Sequence, residues 1–463
     1  MLFTTEFATN LENQRQQLVL AQRTGLHLEQ AFDYSIWSFF EESEQQFIRL
    51  MTGVGGPEPD EPGDIEFGWC LYFLNGMMPN VPPQVQSSIL GPHGIKQALT
   101  SMAGMPDSQL TAIEWEVWLN RFEGTGILLG NGSLVSTARY ALLDPGWALS
   151  VINFLKLKLR LLDIVPFNAN SKLIQITARD TLRVALFGDW GTGPYHDGHL
   201  AGSPSQLVMQ QIQRQKPDMS IHLGDVYYSG MDREERSKLI DAWLHNAPLG
   251  NFTLNSNHEM CYGGHGLING ALNPAHTSLF EAQAGSTFFS ISFGDWLILG
   301  LDSAYYASQC NMFMNGAVTD LAQQKLLQDA GSSGKKIMIL THHNPLTEIG
   351  TLQNDLWRNV VSALGKDPDY WYWGHIHNGI VYSEESAGGS VKCRCQGNAA
   401  IPVGNAAWLE NNPHVSFYTN ASLGDTDPRN ALRIKNGFAL LEFSYDTVKE
   451  KWYYQDGSLA WSS

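Results

Sequence analysis

The sequence predicts an α/β protein in which layered β-sheets are covered by helices. Apolar runs of strand length, such as residues 182–187 and 337–340, recur through the second half of the chain. Segments with helical character, such as residues 203–216 and 319–330, lie between these runs, an alternation typical of sheets packed under helices. Short polar blocks follow most of the apolar runs, as expected where ligands gather at the carboxyl ends of strands.

Two antiparallel hairpins are expected within this pattern. Residues 287–291 and 296–301 flank a Gly-Asp dipeptide that favours a tight turn. Residues 438–443 and 452–454 form a second apolar pair near the end of the chain. Both pairs therefore predict neighbouring strands.

The N-terminal part of the chain differs from this pattern. Residues 10–50 are rich in Gln, Glu and Leu, and further helices are expected at 84–103 and 107–122. A chain of 463 residues is long enough for two or three domains. We therefore expect a mainly helical N-terminal region at 1–175, which contacts either a partner or the catalytic part, followed by a catalytic domain at 176–463.

The overall composition is that of a globular protein. Hydrophobic residues make up 43% of the chain and charged residues 16%, which predicts a packed core and no transmembrane segment. The net charge of -17 argues against nucleic-acid binding, because a phosphate backbone requires clustered Lys and Arg. A small anionic substrate would instead depend on local positive charge from bound metal ions.

The expected location is the cytoplasm. Residues 1–15 lack the basic and apolar stretches of a secretory signal. The five cysteines are an odd number and do not suggest a disulfide framework.

Five polar blocks in the second half predict a metal site. They are GDWG at 188–191, LGDVYY at 223–228, SNHE at 256–259, THHNP at 341–345 and GHIH at 374–377. Asp189 and Asp225 each follow a Gly, which lets the backbone turn so that the carboxylate leaves the sheet. His375 and His377 share one face of an extended segment. Together, imidazole, carboxylate and amide groups suit first-row transition metals.

In this order the blocks resemble the calcineurin-like metallophosphoesterase superfamily. Within it, GDWG, LGDVYYSG and GHIHNG are most similar to the purple acid phosphatases. The resemblance covers the chain from about residue 182 onward and implies a four-layer α/β/β/α sandwich. Most of the superfamily has a His two residues after the first Asp, where this chain has Gly191; the purple type is similar in lacking it.

The resemblance also implies two metal ions bridged by Asp225. The first would be held by Asp189, Asp225, Tyr228 and His377, and the second by Asp225, Asn257, His343 and His375. Tyr228 stands three residues after the second Asp, and because phenol has a pKa of about 10, a bound phenolate favours Fe(III) at the first position. Zn, Fe(II) or Mn is expected at the second.

The resemblance leaves several details open. His343 is preferred over His342 because it stands two residues before Pro345, with His342 as the alternative. Ser256 replaces the usual Gly before the Asn-His pair, and its hydroxyl fits the turn or bonds the ligand loop.

Further histidines are candidates for contact with the substrate. His258 is expected to contact the phosphoryl group and to protonate the leaving oxygen, since imidazole titrates near neutral pH. His196, His199 and His265 lie in polar loops and are substrate-binding candidates, with simple solvation as the alternative.

These residues predict a dinuclear metal-dependent hydrolase of phosphate esters. Metal-bound hydroxide would attack phosphorus in line, and a small phosphomonoester is the favoured substrate. The alternative is a phosphodiesterase or nucleotide hydrolase. From a different class, a non-catalytic scaffold on a phosphatase-like fold is also considered, although such a protein need not retain seven metal-seeking groups.

Overall fold

The computed structural model describes residues 162–177, 179–244, 246–307, 314–427 and 430–463, together with short pieces between 127 and 157. The helices expected before residue 126 lie outside the described residues. Among those described, every helix is too short or too polar to span a bilayer.

Strands supply most of the regular structure. They are β1 (Ile127–Leu128), β2 (Leu134–Val135), β3 (Leu173–Ile176), β4 (Leu182–Phe187), β5 (Met219–His222), β6 (Asn251–Thr253), β7 (Phe289–Phe293), β8 (Trp296–Gly300), β9 (Lys336–Thr341), β10 (Tyr370–Trp373), β11 (Gly379–Tyr382), β12 (Lys392–Gln396), β13 (Val415–Tyr418), β14 (Gly437–Phe443), β15 (Val448–Tyr454) and β16 (Leu459–Ser462).

The helices connect these strands. They are α1 (Pro204–Gln215), α2 (Asp232–Glu234), α3 (Asn257–Cys261), α4 (Leu321–Gly331) and α5 (Asp355–Leu364). Segments of π-helix cover Glu235–Ile240 and His265–Ala271, and 3-10 turns cover Glu281–Gln283 and Ala407–Leu409. The helices α1 and α4 confirm the two helical segments expected between strands.

Two large sheets carry the fold. The six-stranded sheet has the order β16-β15-β14-β4-β5-β6, with β4, β5 and β6 parallel. The eight-stranded sheet has the order β13-β11-β12-β10-β9-β8-β7-β3, with β8, β9 and β10 parallel. The strands β7 and β8 pair antiparallel, as do β14 and β15, which confirms both expected hairpins.

The two sheets pack face to face through one apolar cluster. Leu186 and Ile221 from the six-stranded sheet and Met338 from the eight-stranded sheet belong to it, and all are essentially inaccessible to solvent. Successive residues of a strand point to opposite faces of the sheet. The apolar residues of β4 and β9 that alternate with those of this cluster therefore point toward the outer helices.

Each outer face of this pair of sheets is covered by helices. Phe187 of β4 clusters with Val208 of α1, whereas Ile339 of β9 clusters with Leu327 of α4 and Trp357 of α5. Burying side chains of this kind contributes about 1.5–3 kcal/mol each. The layers therefore run helix, sheet, sheet, helix, and the expected α/β/β/α architecture is confirmed.

The carboxyl ends of β4, β5, β9 and β10 meet at one edge of the sandwich. The amide of Asp189 donates to the carbonyl of Gly224 over 3.0 Å, which joins the ends of β4 and β5. The amide of Gly374 donates to the carbonyl of His342 over 3.1 Å, which joins the ends of β10 and β9. Four of the five polar blocks therefore lie together at this edge. The fifth block, at 256–259, lies at the start of α3.

The strand β3 lies at the edge of the eight-stranded sheet, parallel to β7. The domain boundary expected between residues 175 and 176 falls within this strand. Residues before it also contact the part of the chain that follows, since the amide of Val165 donates to the carbonyl of Gly263 over 3.0 Å.

Candidate metal centre

The backbone at the strand ends aims the site residues toward one another. Asp189, Asp225 and His375 have φ values of +58°, +79° and +66°, in the left-handed region that costs a non-glycine residue of order 1–3 kcal/mol. The surrounding hydrogen bonds hold these conformations. The amide of His375, for example, donates to Asp189 Oδ2 over 2.9 Å.

A first group of ligand atoms surrounds one oxygen of Asp225. The hydroxyl of Tyr227 lies 2.9 Å from Asp225 Oδ2, 3.1 Å from Asp189 Oδ1 and 3.2 Å from His377 Nε2. His377 Nε2 is also 3.4 Å from Asp189 Oδ1. Adjacent ligands around one ion with bonds of about 2.1 Å lie about 3 Å apart, so these four atoms have the spacing of a single coordination shell.

A second group lies at the other oxygen of Asp225. His342 Nε2 is 3.2 Å from Asp225 Oδ1 and 2.9 Å from Asn257 Oδ1. The other ring nitrogen of His342 lies 2.9 Å from the carbonyl of Leu223, an outer contact that orients a ligating imidazole. Ligand atoms of Asp189, Asp225 and His342 all lie within 4.8 Å of one another.

The two adjacent histidines have different surroundings. His342 faces the carboxylates, whereas His343 Nδ1 lies 2.9 Å from the hydroxyl of Ser303. The ring of His375 lies 5.1 Å from that of His342 and 4.9 Å from that of His343. The sequence preferred His343 with His342 as the alternative, and it is Nε2 of His342 that lies 3.2 Å from the carboxylate of Asp225.

The two adjacent tyrosines also differ from expectation. The ring of Tyr228 stacks on Tyr140 at 4.9 Å, with the ammonium of Lys238 4.9 Å from its centroid. The place at the carboxylates that the motif assigned to Tyr228 is taken by Tyr227. The sequence analysis singled out Tyr228 and not Tyr227, although the tyrosine pair was itself a signal that either residue could reach the site.

Burial controls the charges at the centre. Burial, and next the charge of Asp225, raise the pKa of Asp189 well above its usual value. Burial would also raise the pKa of Asp225, but His342 and His258 hold it well below its usual range. Burial lowers the pKa of His342 and His377 to about 3, so both imidazoles are neutral. Neutral imidazoles and buried carboxylates fit a bound cation.

His258 is oriented by the backbone of the loop that follows β5. Its Nδ1 lies 2.6 Å from the carbonyl of Tyr228, and its ring meets that of Tyr227 edge-on at 4.7 Å. Its Nε2 lies 3.8 Å from Asp225 Oδ2. The side chain is buried and directs Nε2 toward the centre.

Ser256 does both things expected of its hydroxyl. It accepts a hydrogen bond of 3.1 Å from the amide of His258 and so caps α3. It also makes short contacts to Asp225 Oδ1 and Glu259 Oε2. Ser256 therefore connects the start of α3 to the carboxylate of Asp225.

The N-terminal region contacts the loop after β5. The hydroxyl of Ser150 donates to the carbonyl of Tyr228, and Asn153 Nδ2 donates to Ser229 Oγ over 2.9 Å. The stacking of Tyr140 on Tyr228 adds an apolar contact. At these positions the N-terminal region packs against the catalytic part, one of the two alternatives expected.

Two of the three loop histidines contact other loops. His196 is exposed, and the exposed ring of His199 bonds Thr426 over 3.0 Å near Asp425. His265 Nε2 bonds the carbonyl of Asp163 over 2.7 Å. Within the described residues, these contacts connect His199 and His265 to other loops and not to the metal centre.

The layered sheets and the buried ligand cluster are consistent with a metallophosphoesterase fold. Residues 182–379 match the family model of the calcineurin-like phosphoesterases. The matched segment contains every residue of the proposed metal centre. No curated protein matches the chain.

Solved structures with similarity to the chain share little sequence with it. GAP50, described as the anchor in the inner membrane complex of Plasmodium, has 13% identity and a TM-score of 0.42, covering 62% of this chain and 88% of that one. A predicted phosphoesterase from Streptococcus pneumoniae has 10% identity and a TM-score of 0.27, covering 62% and 98%. A Vps29 single mutant from Entamoeba histolytica has 12% identity and a TM-score of 0.26, covering 61% and 97%.

Proposed function

We propose that this domain is a dinuclear metal-dependent hydrolase of phosphate esters. One observation carries the proposal: the two oxygens of Asp225 face two separate groups of ligand atoms, with Tyr227 on one side and His342 on the other. A carboxylate in this arrangement suits a bridge between two cations. A structural role alone does not explain why so many metal-seeking groups are buried together.

The ligands divide into two sets that share Asp225. The first is Asp189, Asp225, Tyr227 and His377, and the second is Asp225, Asn257, His342 and His375, with His343 next to the second set. When bound, the two cations would neutralise phosphate oxygens and lower the pKa of a water toward about 7. The phenol of Tyr227 favours Fe(III) in the first set, as in purple acid phosphatases, with Zn, Fe(II) or Mn in the second.

His258 supplies the protein's own acid–base group. The Tyr228 carbonyl holds Nδ1, so that Nε2 is on the side of the metal centre. In this orientation His258 contacts a phosphoryl group and donates a proton to the leaving oxygen. A backbone carbonyl is a suitable partner because it fixes the ring without adding charge.

The proposed substrate is a small phosphomonoester. Its terminal phosphate carries two negative charges, which match two cations in a protein whose net charge of -17 otherwise repels anions. A diester or nucleotide carries a second substituent on phosphorus and needs contacts for it. Comparison of kcat/KM for monoesters, diesters and nucleotides distinguishes these substrate classes.

The test compares Asp225→Asn with a matched control, Asp295→Asn, in the turn between β7 and β8. We expect about two metal ions per wild-type chain and hydrolysis of phosphomonoesters, with kcat/KM falling at least about 100-fold in Asp225→Asn only. Metal content and kcat/KM are measured together on monoesters, diesters and nucleotides.

Three outcomes would change the proposal. Full metal content and full activity in Asp225→Asn would refute the bridging role. A higher kcat/KM for diesters would identify a phosphodiesterase. A metal-loaded protein inert toward every ester would indicate a non-catalytic binding protein.

A further inference from the structure

A buried carboxylate outside the metal centre binds the loop that carries both Tyr227 and the carbonyl contacting His258. Glu234, at the end of α2, is only 3% exposed. Its carboxylate accepts hydrogen bonds from the amides of Tyr228 at 2.6 Å and Ser229 at 3.0 Å, and from Met231 at 3.3 Å. One side chain therefore holds three amides of the same short segment.

Lys238 keeps this carboxylate charged and joins it to the same loop. Its Nζ lies 3.0 Å from Glu234 Oε1 and donates to the carbonyl of Tyr227 over 2.5 Å. Burial opposes the charge of Glu234, but Lys238 and the amides of Ser229 and Tyr228 lower the pKa of Glu234 below its usual value. Hydrogen bonds to an ionised acceptor are stronger than those between neutral groups.

The peptide groups held by Glu234 lie between two parts of the centre. On one side, the hydroxyl of Tyr227 contacts the carboxylates of Asp189 and Asp225. On the other, the carbonyl of Tyr228 lies 2.6 Å from His258 Nδ1. A shift of the Tyr228 peptide would therefore move the partner that orients His258.

A role as a helix cap accounts for only part of these contacts. The bond to the Met231 amide is the ordinary contact of a carboxylate in the first turn of a helix. The bonds to Tyr228 and Ser229 reach beyond the helix into the catalytic loop. They are the contacts that a positioning role requires.

We propose that Glu234 is a positioning residue that holds the loop of residues 227–229 in the arrangement by which the Tyr228 carbonyl orients His258. This inference rests on the proposed function, because the role of His258 in ester hydrolysis belongs to it. Glu234 itself contacts backbone amides and Lys238, and it acts on the reaction through His258.

The test is a double-mutant cycle of Glu234→Gln and His258→Asn on metal-loaded protein. We expect Glu234→Gln to lower kcat roughly 10- to 100-fold with little change in KM, because misplacement of a catalytic group affects the transition state most. In the His258→Asn background, Glu234→Gln should cause little further loss. Metal content should stay at the wild-type value in each variant.

A buried ion pair elsewhere supplies the matched control. Glu450 is fully buried, pairs with Arg394 over 2.9 Å and accepts a hydrogen bond from the hydroxyl of Tyr372. Glu450→Gln should lower the melting temperature but leave kcat and its dependence on His258 unchanged. If Glu234→Gln does not fold, Glu234→Asp is used in its place. Its shorter side chain keeps a carboxylate near Lys238 but moves it away from the amides.

Hydrogen exchange provides a readout that does not require activity. The amides of Tyr228 and Ser229 should exchange slowly in the wild type and faster in Glu234→Gln, without a matching change in Glu450→Gln. Unchanged exchange at these amides would overturn the proposal, as would equal losses of kcat in the wild-type and His258→Asn backgrounds. An inactive wild type with the expected exchange pattern would instead overturn the proposed function alone.

Discussion

The hydroxyl of Tyr227 donates a hydrogen bond of 2.9 Å to Asp225 Oδ2. The ring of the neighbouring Tyr228 stacks on Tyr140. The phenol of Tyr227 therefore lies among the buried carboxylates, and the ring of Tyr228 contacts the N-terminal region.

Exchange of each tyrosine for phenylalanine separates these roles. Tyr227→Phe should lose the visible absorption band of a tyrosinate bound to Fe(III) and lower the metal content, because it removes a ligand atom. Tyr228→Phe should keep both, since its ring still stacks on Tyr140. Absorption spectra and elemental analysis of the two variants provide the measurement, and loss of the band in Tyr228→Phe alone would contradict the assignment.

Alanine at each of the two adjacent histidines tests which one is a ligand. His342→Ala should lower the metal content from about two ions to about one per chain, because His342 Nε2 faces Asp225 and Asn257. His343→Ala should keep more metal, because Nδ1 of His343 lies against Ser303. Elemental analysis after dialysis decides the question, and the reverse order of metal loss would return the role to His343.

The glycine before Asp225 tests how closely the strand ends must approach. Gly224 has a φ of +103°, and a Cβ there would lie 2.8 Å from His342 Nδ1. Gly224→Ala should therefore displace His342, lower the metal content and cost of order 1–3 kcal/mol of stability.

Gly334→Ala is the matched control for this substitution. Gly334 has a φ of +73°, but a Cβ would meet nothing within 4 Å. Gly334→Ala should lower the free energy of unfolding by roughly 1 kcal/mol from backbone strain alone and leave metal binding intact. Urea unfolding and metal analysis are compared, and equal metal loss in both variants would mean that close packing against His342 is unimportant.

A buried histidine near the centre should make stability depend on pH. Burial lowers the pKa of His222 from 6.5 to about 3, and its Nδ1 lies 3.0 Å from Thr253 Oγ1. Below pH 6.5 the unfolded chain binds a proton that the folded chain excludes, so stability falls as the pH decreases toward 3. Between pH 7.5 and pH 5 the free energy of unfolding should fall by on the order of 2 kcal/mol.

The variant His222→Asn isolates this effect. Asn cannot gain a proton, yet its amide can still reach Thr253. The difference in stability between pH 7.5 and pH 5 should therefore be smaller in the variant than in the wild type, as measured by urea unfolding at both pH values. Identical pH dependence would show that His222 is protonated in the folded protein.

The order of layers could be expected from the chain because local patterns determine it. Apolar runs such as β4 and β9, helices such as α1 and α4, and the two hairpins each depend on residues close together in sequence. The polar blocks likewise predicted where the site would form, since the carboxyl ends of parallel strands share one edge.

The contacts around the candidate site could not be predicted, because they join residues that are distant in sequence. Glu234 gave no signal in the sequence, because its importance comes from the Tyr228 and Ser229 amides that it meets only after the loop folds back. The N-terminal residues Ser150 and Asn153 contact the same loop from more than seventy positions away. Such contacts follow no local period.

The sequence by itself determined the kinds of metal-seeking group, their order along the chain and the layered fold that brings them to one edge. Only the tertiary structure showed that the hydroxyl of Tyr227 and Nε2 of His342 lie beside Asp225. The physical reason is that the chain leaves regular strand geometry at these positions, with Asp225 at a φ of +79°. Beyond that point the direction of a side chain depends on the backbone torsions that long-range hydrogen bonds impose.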